Sequence, residues 1–178
     1  VNPEEKQLAQ TTKRVLKPVP ALAAASMVQG AGGKTRELGD RMTQAEVLWA
    51  MLPRPFKRDP QAGMAPAGMA VAEKGKQVAE AGAEVERAAQ ELEPLERGSW
   101  ANSIRGGLAS TYQQLPGMLA GGPLVAAGKR AAGLAVSLAP LGQITGGRAY
   151  QEYRERGFDP STASSGAAVE ELIEVGTE

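Results

Sequence analysis

The densest cluster of reactive side chains is Glu170, Glu171 and Glu174, near the end of the chain. Paired carboxylates can act as general acid and general base, and carboxylate oxygens suit hard cations. At this spacing on a helix the three lie near one polar face, which is also how a plain solvated acidic face is built. Gly30-Ala31-Gly32-Gly33-Lys34-Thr35 superficially has the look of a phosphate-binding loop. It fails the G-x-x-x-x-G-K-[ST] spacing, because Met27-Val28 occupy the place of the first glycine and no buried strand precedes it. Arg54, Lys57 and Arg58 surround Phe56, a basic-aromatic patch that could touch phosphate but sits in a Pro/Gly-rich segment of solvated character. The chain has no His and no Cys. Histidine bases, thiol nucleophiles, disulfides and Cys/His zinc sites are therefore excluded within it. No catalytic residue, cofactor site or metal site is expected, and the chain reads as a non-enzyme.

The elements that would have to position any site are built from small residues. Of 178 residues 22 are Gly, and aromatics make up 4%, so few side chains bury much area. Apolar content is 42%, much of it Ala, which buries only about one methyl group each. The composition predicts a mostly α fold of extended helical segments and hairpins with Pro/Gly-rich linkers and little or no β-sheet. Its thin contacts predict a core completed by neighbouring chains. Lys+Arg and Asp+Glu both number 20, so no global field draws the chain to nucleic acid, and any such contact is non-specific. The chain begins with Val and stops at Glu178 within a helical pattern, which suggests a piece of a longer protein.

Four segments follow in order. Residues 1–62 form a helical segment with a Pro-rich linker. Asn2 caps a short helix with Pro3 at its first position, and Pro18 and Pro20 are expected to stop it. Ala21 to Gly33 is a small-residue run ending in glycines. Behind Lys13, Arg14 and Lys17 it has some likeness to a secretory signal, but the run is short, prolines flank it and Glu4 and Glu5 spoil the basic region. Thr35 to Leu52 is amphipathic at helical spacing, through Leu38, Met42, Ala45, Leu48, Trp49 and Leu52. Residues 63–97 carry one long helix, expected over Met69–Leu95. Val71, Val78, Val85 and Leu92 recur every seven residues and form a heptad seam, with Ala81, Ala88 and Leu95 alongside. The seam serves either an intermolecular coiled coil or docking on the chain's own domain.

Residues 98–149 hold the most unusual stretch. From Gly98 to Gly147 there is no Asp or Glu, and the only charges are Arg105, Lys129 and Arg130. Lys129-Arg130 divides two uncharged arms. Their lengths approach those of membrane spans, but Gln113, Gln114, Pro116, Pro123, Pro140 and Gln143 make them too polar for permanent anchoring. Gly117/Gly121 and Gly142/Gly146 have the GxxxG spacing that lets helix backbones touch. With Gly128 and Gly133 they are the candidate positions for helix packing and membrane contact. Residues 150–178 close the chain: a helix with Tyr150 and Tyr153 on one side ends at Gly157, and a last helix starts with Asp159 as cap and Pro160 at its first position.

The segment GGRAYQEYRERGFDPSTASSGAAVEELIEVGTE has an aromatic pair, a Gly-Phe-Asp-Pro turn and a small-residue helix ending in glutamates. Taken with the Gly/Ala run before it, this resembles segments of the large internal virion (ejection) proteins of tailed bacteriophages and of related prophage polyvalent proteins. The resemblance covers the last third to half of the chain and is one of texture. It implies a structural virion component, held in the particle interior and delivered to the host cell envelope with the genome. It implies self-association, contact with other virion proteins such as portal or core, and helical arms that help form a conduit, with transient membrane contact. A soluble scaffold or tape-measure-like protein that never meets lipid is the alternative. No catalytic residue is carried over.

Overall fold

The computed structural model describes residues 2–51, 64–95 and 98–177. These form six α-helices: α1 Pro3–Leu16, α2 Val19–Met51, α3 Met64–Leu92, α4 Trp100–Ala126, α5 Arg130–Glu155 and α6 Pro160–Thr177. Among the described residues there is no strand, so the fold is mostly α, as composition predicts. The basic-aromatic patch around Phe56 lies outside the described residues.

Capping explains five of the helix ends. Asn2 precedes Pro3, and its N–H donates to Glu5 Oε2 at 3.3 Å, the return half of a capping box. The Ser99 side chain accepts from the Asn102 N–H at 3.3 Å and starts α4. Asp159 Oδ1 accepts from the N–H groups of Ser161 and Thr162 at 2.9 and 3.1 Å and starts α6. Those bonds, with the Thr162 hydroxyl first among them, hold the Asp159 carboxyl below its ordinary pKa. Helices α4 and α5 end alike. Gly128 and Gly157 take φ of +79° and +86°, and the next residue's N–H reaches back, Lys129 to the Leu124 carbonyl and Phe158 to that of Tyr153. Tyr153 and Phe158 then meet edge to face at 5.5 Å.

Helix α1 stops at Leu16, just before Pro18, as expected of the two prolines, and α2 begins at once at Val19. The Lys17 N–H closes α1 on the Lys13 carbonyl, the Leu22 N–H opens α2 on the Pro18 carbonyl, and Pro20 falls in the first turn, where its missing donor is not needed. The amphipathic helix expected from Thr35 is only the second part of α2, which starts at Val19 and runs through the Gly30–Gly33 cluster to Met51 as one element of 33 residues. Glycine in a helix interior costs about 1 kcal/mol relative to alanine, and close helix contact on both faces of the cluster offsets this. Helix α3 spans Met64–Leu92, not Met69–Leu95; Pro66 is tolerated in its first turn, and the residues before Pro94 leave the helix.

The chain forms two compact units that cut across the four segments read from the sequence. One comprises residues 1–27 and 82–141, the other residues 28–81 and 142–178. In the first, Val19, Leu22, Ala89 and Ala109 form a buried cluster with Leu108 against it. In the second, Ala149, Tyr150, Ala163 and Ala167 form the cluster, with Tyr153 packed on it. Among the described residues, Tyr150 and Val19 are the largest side chains buried completely. Both cores are thin because alanine and glycine build them, so backbone proximity replaces side-chain bulk.

Candidate functional site

The candidate glycines divide by role. In the first unit α4 and α5 form a hairpin across the turn at Gly128. A Cβ on Gly117 would strike the Ser137 carbonyl, one on Gly121 the Gly133 carbonyl, and one on Gly133 would lie 2.8 Å from the Gly121 carbonyl oxygen. Gly117, Gly121 and Gly133 are thus the contact points of the hairpin, and Gly128 supplies its left-handed turn. In the second unit Gly142 and Gly146 are both buried. Gly146 lies under the Lys34–Glu171 ion pair, with Lys34 Nζ 2.9 Å from where its Cβ would be. Pro116, Pro123 and Pro140 lie inside the helices without ending them.

The buried stripe of α4 reads Ala101, Arg105, Ala109, Gln113, Gly117 and Gly121, a strict four-residue step. The opposite side of the helix is uncovered. Ile104, Tyr112, Leu115, Met118 and Leu119 are all exposed, Leu119 at 77%. With Leu134 on α5, they give the acid-free part of the hairpin an apolar exterior flanked by exposed Lys129 and Arg130. The sequence showed the missing acids but not which residues face outward, because small residues on every side blur the helical period.

Arg105 is the one charge the hairpin buries, at 3% exposure. Its Nη2 donates to the Arg14 carbonyl in the last turn of α1 and to the Glu93 carbonyl just past α3, both at 2.7 Å. Its Nε has no partner. Burial pushes its pKa down and the Glu93 charge draws it back up. Lys17 Nζ reaches the Glu93 carboxylate at 3.3 Å from the same end of α1. Sequence reading noted Arg105 as a rare charge but had no signal for its burial.

The expected heptad seam lies on α3 as spaced, but it is not the surface that α3 packs. Val71 is half-buried, and Val78, Val85 and Leu92 are exposed at 42%, 49% and 70%. The buried heptad runs through Gly68, Gly75, Gly82 and Ala89. Within the second unit Gly68 and Gly75 meet Gly39 and Gly32 of α2 backbone to backbone. Gly30 faces α5 instead, with its Cβ position 2.5 Å from the Ile144 Cα, and Gly33 meets Gly147. The run that looked like a phosphate loop is therefore where α2 is gripped by two helices. Its signal was legible as seven-residue glycine spacing, Gly32 to Gly39 and Gly68 to Gly75 to Gly82.

The second unit also contains a polar network joining α2, α5 and α6. The Tyr150 hydroxyl donates to Asp40 Oδ2 at 2.5 Å, and Arg154 Nε donates to the same oxygen at 3.1 Å. Burial, reinforced by the Asp40 bond, pushes the Tyr150 pKa well above its ordinary value. Glu37, 7% exposed, accepts from Ser164 Oγ and Arg41 Nη2, each at 2.6 Å, and lies 3.5 Å from Lys34 Nζ. Burial alone would raise the Glu37 carboxyl, but the Ser164 bond and the charges of Lys34 and Arg41 overcome it and hold the pKa below its ordinary value.

The terminal glutamates serve this network. Lys34 Nζ meets Glu171 at 2.8 Å, and the Tyr153 hydroxyl donates to Glu170 at 3.0 Å, which raises the Tyr153 pKa. Among the described residues no three acidic side chains are grouped to hold a metal ion. Each acid of the pair Glu170–Glu171 is turned to a different partner.

Comparison of the chain with protein-family models, with characterised proteins and with solved structures finds no match.

Proposed function

We propose that the chain is a structural virion component of a tailed bacteriophage, an internal or ejection protein that self-associates and helps carry the genome through the cell envelope. The texture of residues 146–178 supports the phage assignment. The observation that carries the physical role is the α4–α5 hairpin. Fifty residues without an acid present the exposed apolar set Ile104, Leu115, Met118 and Leu119, with Lys129 and Arg130 at the turn. Such a surface suits a boundary that is apolar within and anionic outside, as a bilayer of acidic lipids is. The exposed seam of α3 offers a separate surface for association with copies of the chain or with other virion proteins.

No described helix is long and apolar enough to cross a membrane, which favours a second reading, a scaffold or tape-measure-like protein whose arms meet only protein. Co-sedimentation of the full chain with vesicles separates the two. The first reading expects binding to vesicles containing phosphatidylglycerol, little to phosphatidylcholine alone, and loss of binding at high salt. Absence of binding at low salt leaves the scaffold. Mass measurement in solution tests self-association independently.

A further inference from the structure

We propose that Arg105 is a latch that holds the first half of α4 against the ends of α1 and α3 and governs when that half-helix leaves them and adds its docked face to the apolar exterior already exposed. This rests on the reading of α4 given above. Ala101, Arg105 and Ala109 are the buried residues of that half-helix. Two of them are alanines, which contribute little burial, so Arg105 is the largest side chain that docks it. It reaches the Arg14 and Glu93 carbonyls, at or just beyond the C-terminal ends of two helices, where unpaired carbonyls carry partial negative charge. A guanidinium satisfies two such ends at once because its donors diverge in a plane.

The hold is incomplete by construction. The Arg105 Nε stays buried without an acceptor, and no carboxylate oxygen is bonded to the guanidinium among the described contacts. A buried cation held by carbonyl oxygens alone is stabilised less than one paired with a carboxylate. Lifting α4 gives Nε a solvent or phosphate acceptor, so the docked state carries a polar deficit that release removes. The adjacent Glu93 carboxylate is occupied from the other side by Lys17 at 3.3 Å and by Arg14 at 4.0 Å, which keeps it off Arg105. Gly106 and Gly107 follow directly, and both have open space at their Cβ positions. The latch therefore sits beside a glycine pair of low helix propensity.

The test is hydrogen–deuterium exchange on the full chain, comparing the natural protein with Arg105→Met and Arg105→Lys, followed by vesicle co-sedimentation of the same proteins. Arg105→Met is expected to speed exchange of amides 102–114 at least tenfold, with amides 30–39 and 68–81 unchanged. Arg105→Lys, which keeps the charge but loses the fork, is expected to fall between. Arg105→Met is also expected to bind phosphatidylglycerol vesicles at lower lipid concentration. Unchanged exchange in α4 overturns the latch, and so does acceleration spread equally over the second unit, which would make Arg105 a general stability residue. Local acceleration with no change in vesicle binding upholds the latch and overturns the lipid reading of α4.

Discussion

Gly32 on α2 and Gly75 on α3 approach so closely that a Cβ on either would lie 2.6 Å from the other's carbonyl oxygen. The relation is reciprocal, and it recurs at Gly39 and Gly68, where a Cβ on Gly68 would lie 2.7 Å from the Gly39 carbonyl oxygen. Two long helices are thus joined by backbone surfaces, with dispersion over many close atom pairs standing in for large side chains.

Gly75→Ala is expected to destabilise the chain by about 1–3 kcal/mol, the usual range for overpacking, despite the better helix propensity of alanine. Its Cβ would meet backbone atoms of Arg36 and Gly32, which have no rotamer with which to yield. Gly107→Ala on α4 is the matched control, since nothing lies within 4 Å of its Cβ position. There the substitution is expected to stabilise by roughly 0.5–1 kcal/mol. Urea unfolding of both variants checks the pair; equal effects would deny that the contact is specific.

The alkaline limb of stability is expected to depend on Tyr150. Its pKa is raised in the folded chain, so the folded state keeps a proton that the unfolded state loses. Stability from this group is complete below about pH 10, the ordinary tyrosine value, and falls as pH rises beyond it. Tyr150→Phe removes the bond to Asp40 and is expected to lower the unfolding midpoint at pH 8 while flattening its fall between pH 10 and 11. Thermal unfolding followed by circular dichroism at those pH values reads both effects.

Glu37 sets the acid limb. Its folded pKa is lowered, so its contribution is present above the ordinary carboxylate value near pH 4.5 and is lost as pH falls through the depressed value. Glu37→Gln keeps the size and most hydrogen bonds but leaves Lys34 and Arg41 without this charge. It is expected to destabilise by about 1–3 kcal/mol at pH 7, the range for a buried group losing charged partners, and by much less at pH 3. Equal loss at both pH values would show that packing, not charge, is what Glu37 supplies.

The helical class was legible from composition, and the caps at Asn2 and Asp159 and the stop at Gly157 were legible from local chemistry. What sequence reading missed lies in α2 and α3. Gly30–Gly33 gives no local signal for a helix interior because glycine's helix preference is poor, and only contacts with Gly75, Ile144 and Gly147, distant in sequence, make those glycines favourable there. Val71, Val78, Val85 and Leu92 drew the eye as the heptad because hydrophobicity is the usual signal. The heptad that packs, Gly68, Gly75 and Gly82, has no hydrophobicity to signal it. Arg105 was equally silent, since a lone arginine in an uncharged stretch reads as solvent-exposed.

The exposed valines make the next prediction. Val78 and Val85 are 42% and 49% exposed, so Val78→Asp and Val85→Asp are expected to change the stability of a single chain by no more than about 0.5 kcal/mol. If the seam joins copies, the double variant is expected to lower the mass measured by light scattering by at least half. An unchanged mass, in a chain that does associate, places the contact elsewhere.

Leu119 is the sharpest probe of the hairpin. It is 77% exposed near the end of α4 and touches none of the contact glycines on its opposite face. Leu119→Glu is expected to leave folding intact, because an exposed side chain away from caps and core alters stability little. It also places the first acid in a stretch of fifty residues that has none. Binding to phosphatidylglycerol vesicles is expected to fall at least tenfold, through lost apolar contact and charge repulsion together. Leu119→Gln separates these, since it removes the apolar contact without adding charge. A variant that binds as the natural chain does would remove α4 from the lipid-contacting surface.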